Sequence, residues 1–164
     1  MKRRFFSLLG CLILLASVSC QATSNKPISL AEEISQTDLQ NLEKTLRTPR
    51  GAVLAFFAAA KKSDIAALRK IMSSHLQEHL DKVGAEDRSF NPGLLRPGWE
   101  EQWVGRWKKE MDIIKSVGEA LPSNFTSDGI ETTRVAITAT KNGETKQLSV
   151  KVAKYGELWR WDEI

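Results

Sequence analysis

Asn142-Gly143 restricts this chain more than any other pair of residues, because the dipeptide is a strong signal for a two-residue β-hairpin turn, and so tight a turn sets the pairing around it. With Lys141 facing Glu144, counting outward sets Ile137 opposite Leu148 and Val135 opposite Val150, four apolar residues on one face. The other face pairs Thr138 with Gln147 and Ala136 with Ser149. A slip of one residue would turn the apolar set to the wrong side, so the register is well specified. A second tight turn at Gly156-Glu157 puts Trp161 opposite Val152 on the apolar face. It also puts Asp162 beside Lys151 on the polar face, with Arg134 on the other side of Lys151. The last quarter therefore reads as a three-stranded antiparallel meander whose outer face carries an exposed row of Arg134, Lys151 and Asp162.

Upstream, the apolar period changes from 2 to 3.6. Thr48 is placed to cap a helix that has Pro49 at its first position and Val53, Leu54, Phe56 and Phe57 on a wide apolar face. That helix is expected to run to about Lys62, and Ser63-Asp64 then caps a second with the stripe Ile65, Leu68, Ile71 and Met72. A third is expected over residues 99–114, with Trp99, Trp103, Trp107, Met111 and Ile114 on one face. Before the hairpin, Ser29 with Glu32 and Thr37 with Gln40 match the capping-box spacing, and Leu39, Leu42 and Leu46 share a stripe, so residues 28–47 read as one or two short helices. Residues 84–98 contain Asn91-Pro92-Gly93 and Pro97-Gly98 and read as a loop. Phe90, Leu94 and Leu95 would let that loop fold over an apolar opening, although a plain surface excursion is the simpler reading.

The first twenty residues, MKRRFFSLLGCLILLASVSC, combine a cationic start, an apolar run over residues 5–15 and small residues before Cys20. The run is shorter than the about 20 apolar residues of a membrane span. The end of the segment resembles a bacterial lipobox, in which signal peptidase II cuts before a cysteine carrying diacylglycerol; Ser17 departs from the leucine preferred three places before that cysteine. Cys20 is therefore the expected lipidation site, thioether-linked to diacylglycerol and N-acylated as by palmitate, with residues 1–19 removed. Cleavage by signal peptidase I after Ala22 is the rival, and Leu9-Gly10-Cys11 is a poorer box. Either way an exported chain is expected.

Of the formal charge of +4, Lys2, Arg3 and Arg4 supply three; removing them from 24 basic residues leaves 21 against 20 acidic ones, or +1. A near-neutral mature chain offers no electrostatic footprint for nucleic acid. Cys11 and Cys20 are the only cysteines, so with one removed and the other acylated the fold is expected to hold by its core and not by disulfides. Residues 21–27 are polar and suit a short tether.

A lipobox, the helical hairpin TPRGAVLAFFAAAKKSDIAALRKIM, and a meander ending in the Gly-x-x-Trp-x-x-Asp of Gly156, Trp159 and Asp162 together resemble small bacterial lipoproteins of unknown function in the nuclear transport factor 2-like, or cystatin-like, superfamily. The likeness covers residues 48–162 by order of elements, and the 99–107 segment matches no motif of that group. It implies an α+β fold in which a curved antiparallel sheet wraps N-terminal helices as a cone enclosing a pocket. A further strand would fall at residues 115–120. The chain then divides into a signal peptide (1–19), a tether with a short helix (20–47) and the cone domain (48–164). Phe57, Trp103, Trp107, Ile137, Val150 and Trp161 are the candidate pocket lining.

Enzymes of that superfamily hold an aspartate or histidine inside the cone as general base. On the apolar face derived above, Val135, Ile137, Leu148, Val150, Val152 and Trp161 supply neither, and Asp162 falls on the opposite face, which leaves Glu119 as a weak candidate. His75-Leu76-Gln77-Glu78-His79 matches the H-x-x-E-H pattern of inverted zinc proteases and puts both histidines on one helix face. Those enzymes need a third ligand from a downstream helix, so a solvated helix end is the preferred reading. Trp103 and Trp107 are either core or an aromatic wall for an apolar ligand. The resulting expectation is a noncatalytic envelope lipoprotein without metal or cofactor, binding a small apolar ligand or a protein partner, anchored in the outer membrane and facing the periplasm. By resemblance to sorted lipoproteins, Gln21 in place of aspartate after the acylated cysteine favours the outer membrane of a Gram-negative cell. The alternatives are a cone-cavity enzyme for proton transfer or hydrolysis, and a structural module that forms a homodimer through its sheet.

Overall fold

The computed structural model describes residues 28–86 and 99–163. Cys20 and the rest of residues 1–27, the segment 87–98 with Phe90, Leu94 and Leu95, and the side chain of Trp99 lie outside the described residues.

Among the described residues, six helices precede a curled antiparallel half-barrel sheet: α1 (Leu30–Gln36), α2 (Leu42–Thr45), α3 (Pro49–Lys62), α4 (Ile65–Ile71), α5 (Ser74–Glu86) and α6 (Trp99–Met111). The strands are β1 (Ile114–Ala120), β2 (Asn124–Phe125), β3 (Glu131–Lys141), β4 (Glu144–Tyr155) and β5 (Leu158–Trp161). They lie in the order β1-β3-β4-β5, and β2 adds a short pairing to the start of β3.

The meander has the register read from its turns. Lys141 pairs with Glu144, Ile137 with Leu148, Val135 with Val150 and Val152 with Trp161. The cause is local: Asn142 and Gly143 both take positive φ, 52° and 82°, which a primed two-residue turn requires. The extra strand expected at 115–120 is β1, which pairs with β3.

The helical starts follow their caps. Thr48 accepts a hydrogen bond from the Gly51 amide at 3.0 Å, Asp64 from Ala67 at 2.9 Å and Ser29 from Glu32 at 3.4 Å. Thr37 does not open a helix as its spacing with Gln40 suggested. It ends α1, and Asp38 takes over, accepting from the amides of Gln40 and Asn41.

Helix α3 is the axis of the fold, with every residue from Ala52 to Ala60 buried because helices cover one side and the sheet covers the other. Its Phe56 and Phe57 meet Trp107 and Trp161 in an aromatic core. Burying side chains of this size contributes about 1.5–3 kcal/mol each. Residues 28–47 also belong to this body: Leu30, Ile34 and Leu46 are buried, and the Leu46 carbonyl accepts from the Trp159 amide at 2.7 Å. Arg50 fastens α1 to the edge of the sheet, giving Nη2 to both carboxylate oxygens of Glu33 at 2.8 Å and Nε to the carbonyl of Val117 at 3.2 Å.

Two boundaries differ from the sequence expectation. The third helix ends at Met111, not near Ile114, because Ile113 and Ile114 are drawn into the sheet: Ile114 pairs with Ala139, and the Ile113 carbonyl accepts from the Thr140 amide at 2.7 Å. The segment after α4 turns into a separate helix, α5, which continues to Glu86 and so enters the stretch expected to be loop.

Candidate functional site

Because α6 stops at Met111 while β3 and β4 run on to the hairpin tip, the helical layer ends before the sheet does. A groove opens there on the concave face. Its inner part, about 340 Å³, is walled by Trp107, Ile113, Ile114, Ile137, Ala139, Leu148 and Val150, with Arg106, Glu110 and Glu163 at its margin. An adjoining recess of about 430 Å³ shares Glu110, Ile113, Ala139 and Leu148 with it and reaches Lys141 and Lys146. Both fall in the ~300–1,000 Å³ range of small-molecule sites. Leu148, expected in the apolar interior, holds its register opposite Ile137 yet is 53% exposed, because among the described residues no helix reaches far enough to cover it.

The six candidate lining residues therefore separate into two groups. Trp107, Ile137 and Val150 line the groove. Phe57, Trp103 and Trp161 close into the core, where Phe56 meets Trp103 edge-on at 5.1 Å and Trp161 face to face. Ile113, Ile114, Ala139 and Leu148 complete the groove, and the signal that could have found the first two was the end of α6.

The row Arg134, Lys151 and Asp162 has the predicted register, and Arg134 at its end is exposed as expected, but Asp162 is not. The Asp162 side chain is only 7% exposed. The reason is a tertiary pairing: Met72 forms a parallel bridge with Trp161, and the Ser73 amide donates to the Trp161 carbonyl at 2.9 Å, so the α4–α5 junction covers the free edge of β5. Ser73 Oγ donates to Asp162 and accepts from the Leu76 amide at 3.0 Å, while Lys151 Nζ lies 2.7 Å from the other Asp162 oxygen. Nearby, burial first and the Asp162 charge second push the Tyr155 hydroxyl above its ordinary pKa. Ser73 is itself fully buried and caps α5, so this cluster acts as a joint between helix and sheet.

Glu163 closes one margin of the groove and is already engaged, accepting from the Lys151 amide at 2.7 Å with Arg134 3.5 Å away. Glu119 is exposed on β1. His75, Glu78 and His79 all lie exposed on α5, and among the described residues no group of three histidine, cysteine, aspartate or glutamate side chains is placed to hold a metal. Among the described residues no helix is long and apolar enough to cross a membrane.

No protein-family model, curated protein or solved structure matches the chain.

Proposed function

We propose that the chain is a noncatalytic lipoprotein of the bacterial cell envelope, acylated at Cys20, built on a nuclear transport factor 2-like cone, and holding a small apolar ligand in the groove beneath α6. The groove carries this reading: an apolar wall that includes half-exposed Leu148 and the aromatic face of Trp107, with charged groups confined to its margin. Such an arrangement favours a ligand with a long apolar part and a polar end. The lipobox supports the anchor and the outer membrane address, and the order of helices and strands supports the superfamily.

Titration with dodecanoate tests the groove, read by the change in tryptophan fluorescence that is lost in Trp107→Phe, since Trp107 is the tryptophan that lines it. Saturable binding is expected, weakened about tenfold or more by Leu148→Asp, a factor equal to about 1.4 kcal/mol. No saturable change would end the ligand reading and leave a protein partner as the occupant of the face. The alternative of proton transfer or hydrolysis would rest on Glu110, the margin carboxylate on α6. It predicts turnover that Glu110→Gln abolishes.

A further inference from the structure

We infer that the groove end of the molecule is a docking surface for an anionic lipid bilayer, so that the opening beneath α6 faces the membrane. Three separate observations meet at this end. The first is where the chain enters. Leu30 lines a recess together with Lys61, Lys108, Met111 and Ile114, so the described chain begins at the same end as the start of β1. Ile114 pairs with Ala139 and Ala139 with Lys146, which places β4 two strand spacings, about 10 Å, from that point. The eight residues 20–27 span at most about 26–29 Å even when fully extended, so a lipid on Cys20 keeps this end close to the bilayer.

The second observation is exposed apolar surface. Leu148, 53% exposed, stands beside the mouth formed by Ile113 and Ile114, and Ile28, 54% exposed, lies two residues before Leu30. The third is charge. Lys61 and Lys62 end α3, Lys108 and Lys109 end α6, Lys115 follows Ile114, and Lys141 and Lys146 flank the hairpin turn, with Arg106 at the groove margin. Glu32, Asp64, Glu110, Asp112, Glu144 and Glu163 are the acids there, so eight positive charges face six negative ones. That excess of two exceeds the +1 of the whole chain without its leader, so the remainder is net acidic.

A basic rim around apolar side chains complements an anionic surface, and a patch of this kind is the second signal that a lipid anchor needs for a settled orientation. The inference rests on the anchor reading proposed above only for its first observation. Charge and exposed apolar surface carry it independently.

The test uses the full chain as the cell processes it, reconstituted into vesicles of mixed phosphatidylglycerol and phosphatidylcholine or of phosphatidylcholine alone. Leu148→Cys and Phe125→Cys each carry a fluorescent label. Phe125 is 71% exposed and lies six residues, about 20 Å, away along β3 from the pairing partner of Leu148. On the anionic vesicles, acrylamide quenching at 148 is expected to fall roughly threefold while quenching at 125 stays unchanged, and high salt or Lys141→Glu with Lys146→Glu is expected to undo the protection. Protection at 125 alone, at both sites or at neither overturns the inference. A thiol that reacts in the parent chain shows Cys20 unmodified and defeats the anchor reading separately; the same labels in a Cys20→Ser background, with the vesicle-bound fraction measured, then read the docking surface alone.

Discussion

Phe56 and Trp161 stack face to face, with ring centroids 3.9 Å apart and ring planes only 16° from parallel, and Trp107 of α6 meets both rings edge-on, so the central helix, α6 and the last strand join there. Trp161 is fully buried. Trp161→Ala is expected to cost about 3–5 kcal/mol, the transfer loss plus the cavity left behind. Against the about 5–15 kcal/mol of a whole domain, that is a large share. Urea unfolding checks it. Trp161→Phe keeps a ring on Phe56 and should cost less, and a loss under about 1 kcal/mol for the alanine variant would mean the stack is not the centre of the core.

Gly51 tests how closely α2 lies on α3. A Cβ built there would sit 2.0 Å from the Thr45 carbonyl oxygen and 2.8 Å from Thr48 Oγ1, the atom that caps the helix. Alanine ordinarily favours a helix over glycine by about 1 kcal/mol. Here the backbone has to move, and Gly51→Ala is expected to destabilise by about 2–3 kcal/mol. Gly105→Ala, in α6, meets nothing within 4 Å and should stabilise by about 0.5–1 kcal/mol. Equal signs for the two variants in thermal unfolding would contradict this packing.

Tyr155 is the single tyrosine of the chain, so tyrosinate absorbance reports it directly. Burial and then the Asp162 charge raise its pKa, with Ser73 and Lys151 opposing. The folded chain therefore holds the phenolic proton to higher pH than the unfolded chain, whose value lies near 10. Its contribution to stability is present below about pH 10 and is lost as pH rises through the folded value. The stability difference between wild type and Tyr155→Phe should accordingly change against the wild type above about pH 10. A difference independent of pH, or a titration at the ordinary value, would refute the assignment.

Much of this fold is legible in the chain because its information is local. Asn142-Gly143 sets the pairing of β3 with β4, Gly156 at φ 62° sets that of β4 with β5, and Thr48-Pro49 and Ser63-Asp64 start helices through hydrogen bonds to their own next turns. Alternation along the strands then names the inner face without reference to any other element. The candidate lining was legible only by face. Trp103 and Trp107 share one side of α6, yet only Trp107 lies far enough along the helix to reach the groove.

What depends on elements distant in sequence was decided by the tertiary structure alone. Asp162 faces away from the core by strand parity and is buried nonetheless, because Met72 and Ser73, some ninety positions earlier, pair with the edge of β5. Leu148 faces inward by the same parity and is exposed, because α6 yields Ile113 and Ile114 to the sheet and ends short of the hairpin. Periodicity assigns a side chain to a face of its own element. Whether that face is covered depends on where a different element stops, and the groove is the space left by that difference.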